Sequence, residues 1–365
     1  MDNKGKNYKS IMYNTIRIAL SIIIAFCTLI ACNEKKTLSK ADFLIANGQM
    51  PDVAKDKSDN LHLVYGVGDS IMYTSSSNKG ISFSSSSLVD VLPDLFSFAT
   101  RGTQVSATNH GVIITACTST GNIYSYYKED GKWKQGARVN DVDTVAKEGL
   151  MALSADGENA FAIWLDLRGN KRNKIYGAKS NDGGKTWSAN KMIYTSPDTT
   201  VCECCKPSVV MKGNHVYVMF RNWLNGNRDL YLIQSSDGGV SFGQAQKLGT
   251  GSWKLNGCPM DGGSLAINQE GEVQTVWRRQ NIIFAAIPGK PEMQIGEGRD
   301  CALEIVDNRN IYTWTEKGEV VLMNHNGEKK VLGKGGQPVL KALDKDHVIC
   351  VWENEKQIHA SVVEL

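Results

Sequence analysis

The chain has 365 residues and a formal net charge of only +3 at pH 7, because 41 lysines and arginines nearly balance 38 aspartates and glutamates. The sequence has no basic stripe and no interleaving of aromatic and basic residues, so it gives no basis for a nucleic-acid partner. Its length is enough for one large domain or two small ones.

The N-terminal segment is basic and then apolar. Four basic residues between positions 4 and 17 precede an apolar run over residues 18–31. That run of about 14 residues is shorter than the roughly 20 that cross a bilayer. A basic start followed by a short apolar core is typical of a secretory signal, which we predict over residues 1–31.

The apolar run ends in Leu-Ile-Ala-Cys at residues 29–32. This ending resembles the lipobox of bacterial lipoproteins. The resemblance implies lipid attachment at Cys32, a polar tether over residues 32–40 and an exported domain over residues 41–365. Asn33 favours the outer membrane of the cell envelope, since that family marks other destinations with aspartate there. An ordinary signal or a short anchor helix is the alternative.

One strand pattern recurs along the rest of the chain. A five-residue strand ends in an aromatic residue in six of seven copies, and the aligned last residues are Tyr65, Ala116, Trp164, Phe220, Trp277, Trp314 and Trp352. Another apolar strand precedes each copy and a third follows it, with the alternation typical of half-buried strands. Repeats of roughly 37 to 57 residues with three or four strands each indicate the blades of a β-propeller.

We therefore predict an all-β fold, a β-propeller with seven blades. Six blades would result if one copy merged with its neighbour. The last copy stops after its third strand at Leu365, so the segment ADFLIA at residues 41–46 would supply the missing outer strand and close the ring. An all-β sandwich is the alternative, but it does not explain the repeated aromatic position.

Two turns between third and fourth strands are similar to each other, SNDGGKTW at residues 180–187 and SSDGGVSF at residues 235–242. They resemble the Asp-box repeat of sialidases and related propellers. Residues 76–83 and 128–133 look like weaker copies. The aspartate in each turn can accept backbone N–H bonds. In that family the boxes lie opposite the active site, so they indicate a sialidase-type fold and no chemistry.

The resemblance also implies which loops form the functional face: those between second and third strands, and those leading into each first strand. Sialidases hold a substrate carboxylate with three arginines, and Arg101, Arg221 and Arg278 are the candidates here, because a guanidinium can make two parallel bonds to a carboxylate. Asp166 and Asp261 are candidates for the catalytic acid.

Arg228 and Asp229 complete the predicted ligand-binding set. The first-blade Phe/Tyr-Arg-Ile-Pro motif of sialidases and their Tyr–Glu pair are absent, which leaves catalysis open. The leading functional hypothesis is binding or hydrolysis of glycans or glycoconjugates by a monomeric, membrane-anchored envelope lipoprotein. A non-catalytic binding or scaffold propeller, and a protein that handles metals through its cysteines, are the alternatives.

Six of the seven cysteines in the predicted domain map to the functional face, and only Cys350 falls within a second strand. An exported protein meets an oxidising compartment, which favours a disulfide from Cys202 or Cys204 to Cys258. Alternatively, Cys202, Cys204 and Cys205 with Cys258 hold Cu(I) or Zn, which thiolates prefer. No other cofactor is expected.

Replacing Cys32 by alanine tests the lipoprotein prediction. In cells fed a tritiated fatty acid, we expect the wild-type protein to carry label and to sediment with membranes. Cys32→Ala should carry no label and remain soluble, because lipid would be its anchor. Cys27→Ala, inside the predicted signal, is the matched control and should still be labelled. Equal labelling of Cys32→Ala and wild type would contradict the prediction.

Overall fold

A computed structural model describes residues 39–365. The predicted signal over residues 1–31, and Cys32 with almost all of the predicted tether, lie outside the described residues. The described part is all-β, with 28 strands in seven four-stranded antiparallel sheets. The prediction of a seven-bladed β-propeller is confirmed. Across residues 39–365, no helix is long and apolar enough to span a membrane.

The blades are numbered in chain order, and the strands within each run from the innermost to the outermost. Blades 1 to 3 comprise β2 (Gln49–Lys55), β3 (Leu61–Val67), β4 (Ser70–Ser76) and β5 (Ser87–Val91); β6 (Gln104–Ala107), β7 (Val112–Cys117), β8 (Ile123–Glu129) and β9 (Lys132–Gln135); β10 (Met151–Asp156), β11 (Asn159–Asp166), β12 (Lys174–Ser180) and β13 (Lys191–Tyr194).

Blades 4 to 7 follow the same plan. They comprise β14 (Ser208–Lys212), β15 (His215–Leu224), β16 (Asn227–Ser235) and β17 (Gln246–Lys247); β18 (Gly263–Ile267), β19 (Val273–Arg279), β20 (Ile282–Ala286) and β21 (Met293–Glu297); β22 (Arg299–Val306), β23 (Arg309–Glu316), β24 (Glu319–Met323) and β25 (Lys329–Lys334); and β26 (Gly336–Ala342), β27 (His347–Asn354), β28 (Gln357–Glu364) and β1 (Lys40–Asn47).

The N-terminal strand closes the ring. β1 pairs antiparallel with β28, placing Phe43 opposite Ala360 and Asn47 opposite Gln357. The predicted pairing of residues 41–46 beside the last strand is therefore confirmed. Without β1, blade 7 would have three strands and its outer edge would be unpaired, which is a template for aggregation.

The apolar core is divided among the junctions between blades. Seven clusters of buried residues each combine side chains from two adjacent blades. The cluster that joins the two ends of the ring packs Leu63 of blade 1 with Val351 of blade 7. Each sheet is thus covered on both faces only by its neighbours, as a closed propeller requires.

The aligned aromatic position is a packing position. All seven aligned residues are at most 2% exposed. Trp314 of blade 6 lies on Gly296 of blade 5, and Trp352 of blade 7 lies on Gly333 of blade 6. A Cβ at Gly296 would be 2.5 Å from the Trp314 ring, and one at Gly333 would be 2.8 Å from the Trp352 ring. At these two junctions, a tryptophan ring therefore occupies the space that a side chain at the glycine would need.

The turn at residues 180–187 is held by local hydrogen bonds. Asp182 accepts the backbone N–H of Thr186 at 2.9 Å, and the Ser180 hydroxyl accepts that of Gly184 at 2.9 Å. Gly184 has a φ of +83°, which suits glycine, and its Cα packs against Ile113 of the preceding blade. The turn at residues 235–242 repeats this geometry.

The two weaker copies differ. In the turn at residues 76–83, Asn78 replaces the aspartate and still accepts the backbone N–H of Ser82 at 3.0 Å. Residues 128–133 instead form a tight hairpin, in which Asp130 and Gly131 both have positive φ. A two-residue turn of this kind matches the twist of its flanking strands. The expectation of a fourth Asp-box-like turn was wrong.

Deleting residues 40–47 tests the closure. We expect the free energy of unfolding to fall by at least about 3 kcal/mol, since half-buried Phe43 and Ile45 lose their packing. Leu44→Ser is the matched control, because Leu44 in the same strand is exposed, and it should change stability by less than about 0.5 kcal/mol. Urea unfolding measures both. An unchanged midpoint in the deletion would contradict the closure.

Candidate functional site

One face of the ring carries the loops that lead into the first strand of each blade, which we call the inner loops. Five blades have a non-glycine residue in the left-handed region close to the start of the innermost strand. Thr100 and Met260 lie just before that strand, and Met50, Asp300 and Gln337 are its second residue. Such backbone costs of order 1–3 kcal/mol and concentrates at functional sites. In blades 1, 6 and 7 the register also shifts there, which re-aims the side chains that follow.

The inner loops surround a cavity of about 190 Å³ on the propeller axis, which we call the axial cavity. Six of the seven blades contribute to it, through residues 50–52, 100 and 104, 206 and 208, 261–264, 300–302, and 337–339. A second cavity of about 440 Å³ shares several of these residues and is lined by the innermost strands. The axial cavity therefore forms the mouth of the central channel.

Asp300 is the most distinctive group in the axial cavity. Its side chain is only 7% exposed, and one carboxyl oxygen, Oδ2, lies 3.0 Å from Nε of Arg299. The other oxygen, Oδ1, is buried and has no hydrogen-bond partner among residues 39–365. Burial and the neighbouring Asp261 raise the pKa of Asp300 to about 6. Asp300 can therefore carry a proton near neutral pH.

Asp261 lies beside Asp300 and is buried. Its Oδ2 accepts the backbone N–H of Asp300 at 3.3 Å and lies 2.8 Å from Nε of Arg278. The Nε–H of Arg278 does not point at the carboxylate, so the contact between Arg278 and Asp261 is an ion pair without hydrogen-bond alignment. Burial raises the pKa of Asp261, and the guanidinium groups of Arg278 and Arg221 oppose that rise. Its negative charge favours the protonated form of Asp300.

Asp52 and Lys206 face the axis from blades 1 and 4. Asp52 accepts the backbone N–H of Val105 at 2.8 Å. Burial raises the pKa of Asp52 and lowers that of Lys206, while their opposite charges act against both shifts. Both side chains are surrounded by protein yet stay partly accessible, because the channel beside them is open.

Asp166, predicted as a catalytic acid, has a different setting. It is fully buried, and its two oxygens accept the Nε1–H of Trp164 at 2.8 Å and the backbone and Nε N–H groups of Arg168 at 2.8 and 2.9 Å. Among the described residues, it is not one of those that line the axial cavity. This arrangement favours a role in fixing the loop after β11.

All three predicted clamp arginines donate hydrogen bonds to backbone carbonyls, and Arg278 donates to that of Pro259 at 2.7 Å. Arg221 is buried and donates to the carbonyls of Asp261, Arg228 and Arg278, at 3.3, 2.8 and 2.9 Å. Arg101 donates to the carbonyl of Glu148 at 2.6 Å, and within the described chain it has no hydrogen-bond partner in common with Arg221. The arrangement favours a structural role for Arg221, which links blades 4 and 5 through hydrogen bonds.

Arg228 and Asp229 also bind protein groups. Arg228 donates to the carbonyl of Leu255 at 3.3 Å and to the sulfur of Cys202 at 3.0 Å. Asp229 accepts the backbone N–H of Trp253 at 2.8 Å. Both therefore hold the segment that leads from blade 4 to blade 5.

The cysteine cluster contains a disulfide between Cys204 and Cys258, whose Cα atoms are 6.1 Å apart. The expected link between the inner loops of blades 4 and 5 is confirmed. Its partners are 54 residues apart in sequence, and closing such a loop stabilises a fold by about 4 kcal/mol in the chain-entropy model. Cys202 and Cys205 remain as buried thiols beside it.

The oxidised cluster fits a metal poorly. The sulfurs of Cys202, Cys204 and Cys205 lie within 4.8 Å of one another, but that of Cys204 is bonded to Cys258. Two thiols are fewer than the four protein ligands of structural zinc sites, and Arg228 already donates to one of them. A soft metal fits only the reduced form, in which all four sulfurs are thiols.

Sequence reasoning identified only part of the axial site. The repeat pattern assigns Asp261, Asp300 and Lys206 to loops that lead into first strands, but of these three only Asp261 is predicted as an acid. Asp52 was missed because the pattern does not reveal the irregular register that points it to the axis. The sequence does contain one clue to Asp52. It directly follows Met50-Pro51, and blade 7 has Gln337-Pro338 at the equivalent place.

The chain is similar to solved propeller structures but not in sequence. No protein-family model and no curated protein matches it. A protein of unknown function from Dyadobacter fermentans is 15% identical, covering 90% of this chain and 98% of that chain, with a TM-score of 0.51. Such similarity shows the fold alone.

Two solved enzyme structures are similar to this chain to about the same degree. An alpha-L-arabinanase from Penicillium chrysogenum, complexed with arabinobiose, is 13% identical with a TM-score of 0.54. An alpha-L-arabinofuranosidase from Fusarium graminearum, with an iminosugar inhibitor, is 11% identical, also with a TM-score of 0.54. Each alignment covers 89% of this chain and 98% of the other. At this identity, both likenesses show the fold alone.

Replacing Arg221 by methionine tests its assignment as a structural residue. We expect the free energy of unfolding to fall by about 3 kcal/mol, because three buried carbonyls lose their charged donor. Arg172→Met, at an exposed arginine, is the control and should have little effect. Urea unfolding followed by tryptophan fluorescence measures both. Unchanged stability of Arg221→Met would contradict the structural assignment and make Arg221 a candidate ligand-binding residue again.

Proposed function

We propose that this protein is an envelope lipoprotein that binds a terminal sugar unit of a glycan or glycoconjugate in the axial cavity and hydrolyses its glycosidic bond. The observation that carries the proposal is Asp300: a buried carboxyl group with a raised pKa and an unpartnered oxygen, at the wall of a polar cavity. Perturbed carboxyl groups in a cavity are typical of acid–base sites.

The cavity suits a small, polar ligand. At about 190 Å³ it is smaller than the pockets of roughly 300–1,000 Å³ that hold drug-sized molecules. Carboxyl, amide, hydroxyl and ammonium groups line it, including those of Asp52, Gln104, Lys206 and Ser208. These groups match the hydroxyls of a single sugar, while a longer glycan would extend out of the mouth.

Each of three carboxyl groups has a different role in the proposed hydrolysis. Asp300, protonated, gives its proton to the glycosidic oxygen as the bond to the anomeric carbon breaks. Asp52, on another blade, accepts a proton from the water that attacks that carbon. Asp261 is a positioning residue, since it holds the Asp300 backbone and keeps the pKa of Asp300 high. Solvent then returns the proton from Asp52 to Asp300.

The proposed location agrees with the cysteine chemistry. A disulfide between Cys204 and Cys258 persists in oxidising compartments such as the periplasm and the cell surface. With Cys32 lipidated, the propeller would act at the membrane on envelope or external glycans.

Asp300→Asn tests the proposal. With a panel of nitrophenyl glycosides of pentoses, hexoses and sialic acid, we expect kcat/KM to fall by about 10²–10⁴-fold, the usual contribution of a general acid. Binding on a glycan array should change little. In the wild type, kcat/KM should fall about tenfold per pH unit above pH 6, because Asp300 must be protonated and its pKa is about 6.

Asp307→Asn is the matched control, since Asp307 is exposed in a turn of the same blade. It should retain activity and the pH profile. Glycan binding without turnover of any substrate would contradict the proposed hydrolysis, and the protein would then be a non-catalytic binding propeller. Absence of both binding and turnover would overturn the proposal.

A further inference from the structure

Four sulfur atoms form a continuous path at the junction of blades 4 and 5. The sulfur of Cys202 is 3.1 Å from that of Cys205 and 3.8 Å from that of Cys204. Cys204 is in turn bonded to Cys258. A thiol therefore stands in contact with a disulfide, with a second thiol directly behind it.

Access to this path is graded. Cys258 is exposed, while Cys204, Cys205 and Cys202 are 7%, 2% and 1% exposed. Reagents in solution can thus reach the cluster only at its Cys258 end. We call Cys204 and Cys258 the outer pair, and Cys202 and Cys205 the inner pair.

The inner pair has the features of a reactive dithiol. Cys202 and Cys205 have the Cys-x-x-Cys spacing that lowers the pKa of thiols. The hydrogen bond with Cys205, and then the charges of Arg221 and Arg228, lower the pKa of Cys202 to about 6 although burial opposes this. Burial raises the pKa of Cys205 well above its usual value. Arg228 also touches the Cys202 sulfur, at 3.0 Å.

We propose that these four cysteines form a thiol–disulfide exchange centre, in which the disulfide moves from the outer to the inner pair and the freed outer pair then reduces disulfide substrates. The proposal is independent of the glycan site. The three sulfur–sulfur contacts carry it, since exchange proceeds by attack of a thiolate on a disulfide sulfur within its reach.

The exchange between the outer and the inner pair needs no added oxidant, because one disulfide is broken and one is formed. The Cys202 thiolate attacks the sulfur of Cys204, a Cys202–Cys204 bond forms, and Cys258 leaves as a thiolate that solvent protonates. Cys205 then loses its proton and attacks Cys202, so that Cys204 leaves and takes up a proton. The products are a Cys202–Cys205 disulfide and two thiols in the outer pair.

The freed outer pair can act on a protein or small-molecule disulfide. The Cys258 thiolate attacks one sulfur of that substrate and releases a thiol. Cys204 then attacks the mixed disulfide at Cys258 and releases the second thiol. The substrate gains two electrons, and the outer pair, oxidised again, has lost two. A dithiol reductant of the envelope must return the doubly oxidised cluster to its starting state.

Alkylation of Cys258 tests the first step. The full-length protein, purified without reductant, is treated with iodoacetamide at pH 7 and its peptides are analysed without reduction by mass spectrometry. We expect Cys258 to become alkylated while a Cys202–Cys205 disulfide accumulates. Cys202→Ser should slow alkylation of Cys258 by at least about tenfold, because no thiolate attacks the outer disulfide. Cys350→Ser, at a buried cysteine far along the chain, should match wild type.

Arg228→Gln separates reactivity from folding. We expect its alkylation rate at Cys258 to be about tenfold below wild type at pH 6 and to equal it at pH 9, where Cys202 ionises without the arginine. A variant that merely unfolds would instead expose Cys258 at both values. Thermal melting of every variant, and turnover of oxidised glutathione with a dithiol reductant, complete the experiment.

Two outcomes would overturn the proposal. The first is an intact outer disulfide with no alkylation of Cys258 in the folded wild type, which would make the bond a fixed crosslink. The second is a purified protein with all four thiols reduced and one equivalent of copper or zinc bound, which would make the cluster a metal site.

Discussion

The structure depends on one constraint: no blade can bury its own faces. All seven large apolar clusters lie at junctions between adjacent blades, so each sheet is stable only when both neighbours are in place. The rings of Trp314 and Trp352 on glycines of the preceding blade show how tightly these junctions are matched. The inner loops inherit this rigidity, which allows six blades to place their side chains around one small cavity.

The fold was readable from the sequence because the junctions repeat. Six of the seven copies carry a buried aromatic residue at the same position of the second strand. The missing fourth strand of the last copy predicted the pairing of β1 with β28. Residues 128–133 were misread, because Asp-Gly occurs both in the box-like turns and in tight hairpins. The two kinds of turn differ only in the number of residues around the Asp-Gly pair.

The site was less readable, because the role of a polar side chain depends on backbone that lies far away in sequence. Arg221 donates to the carbonyl of Arg278, 57 residues later, and to two other carbonyls. No local pattern distinguishes such an arginine from a free one. The cysteines were easier, since neighbouring inner loops must converge and a disulfide needs only that proximity.

The pairing of Lys40 with Val362 joins positions more than 300 residues apart in sequence. During synthesis the first strand of the domain is made long before its partner exists, whereas each remaining sheet is complete within one stretch of chain. Pairing across such a separation is slow. Until the C-terminus arrives, β1 and the outward face of blade 1 stay uncovered, and this interval is when the chain is most open to association with other unfinished chains.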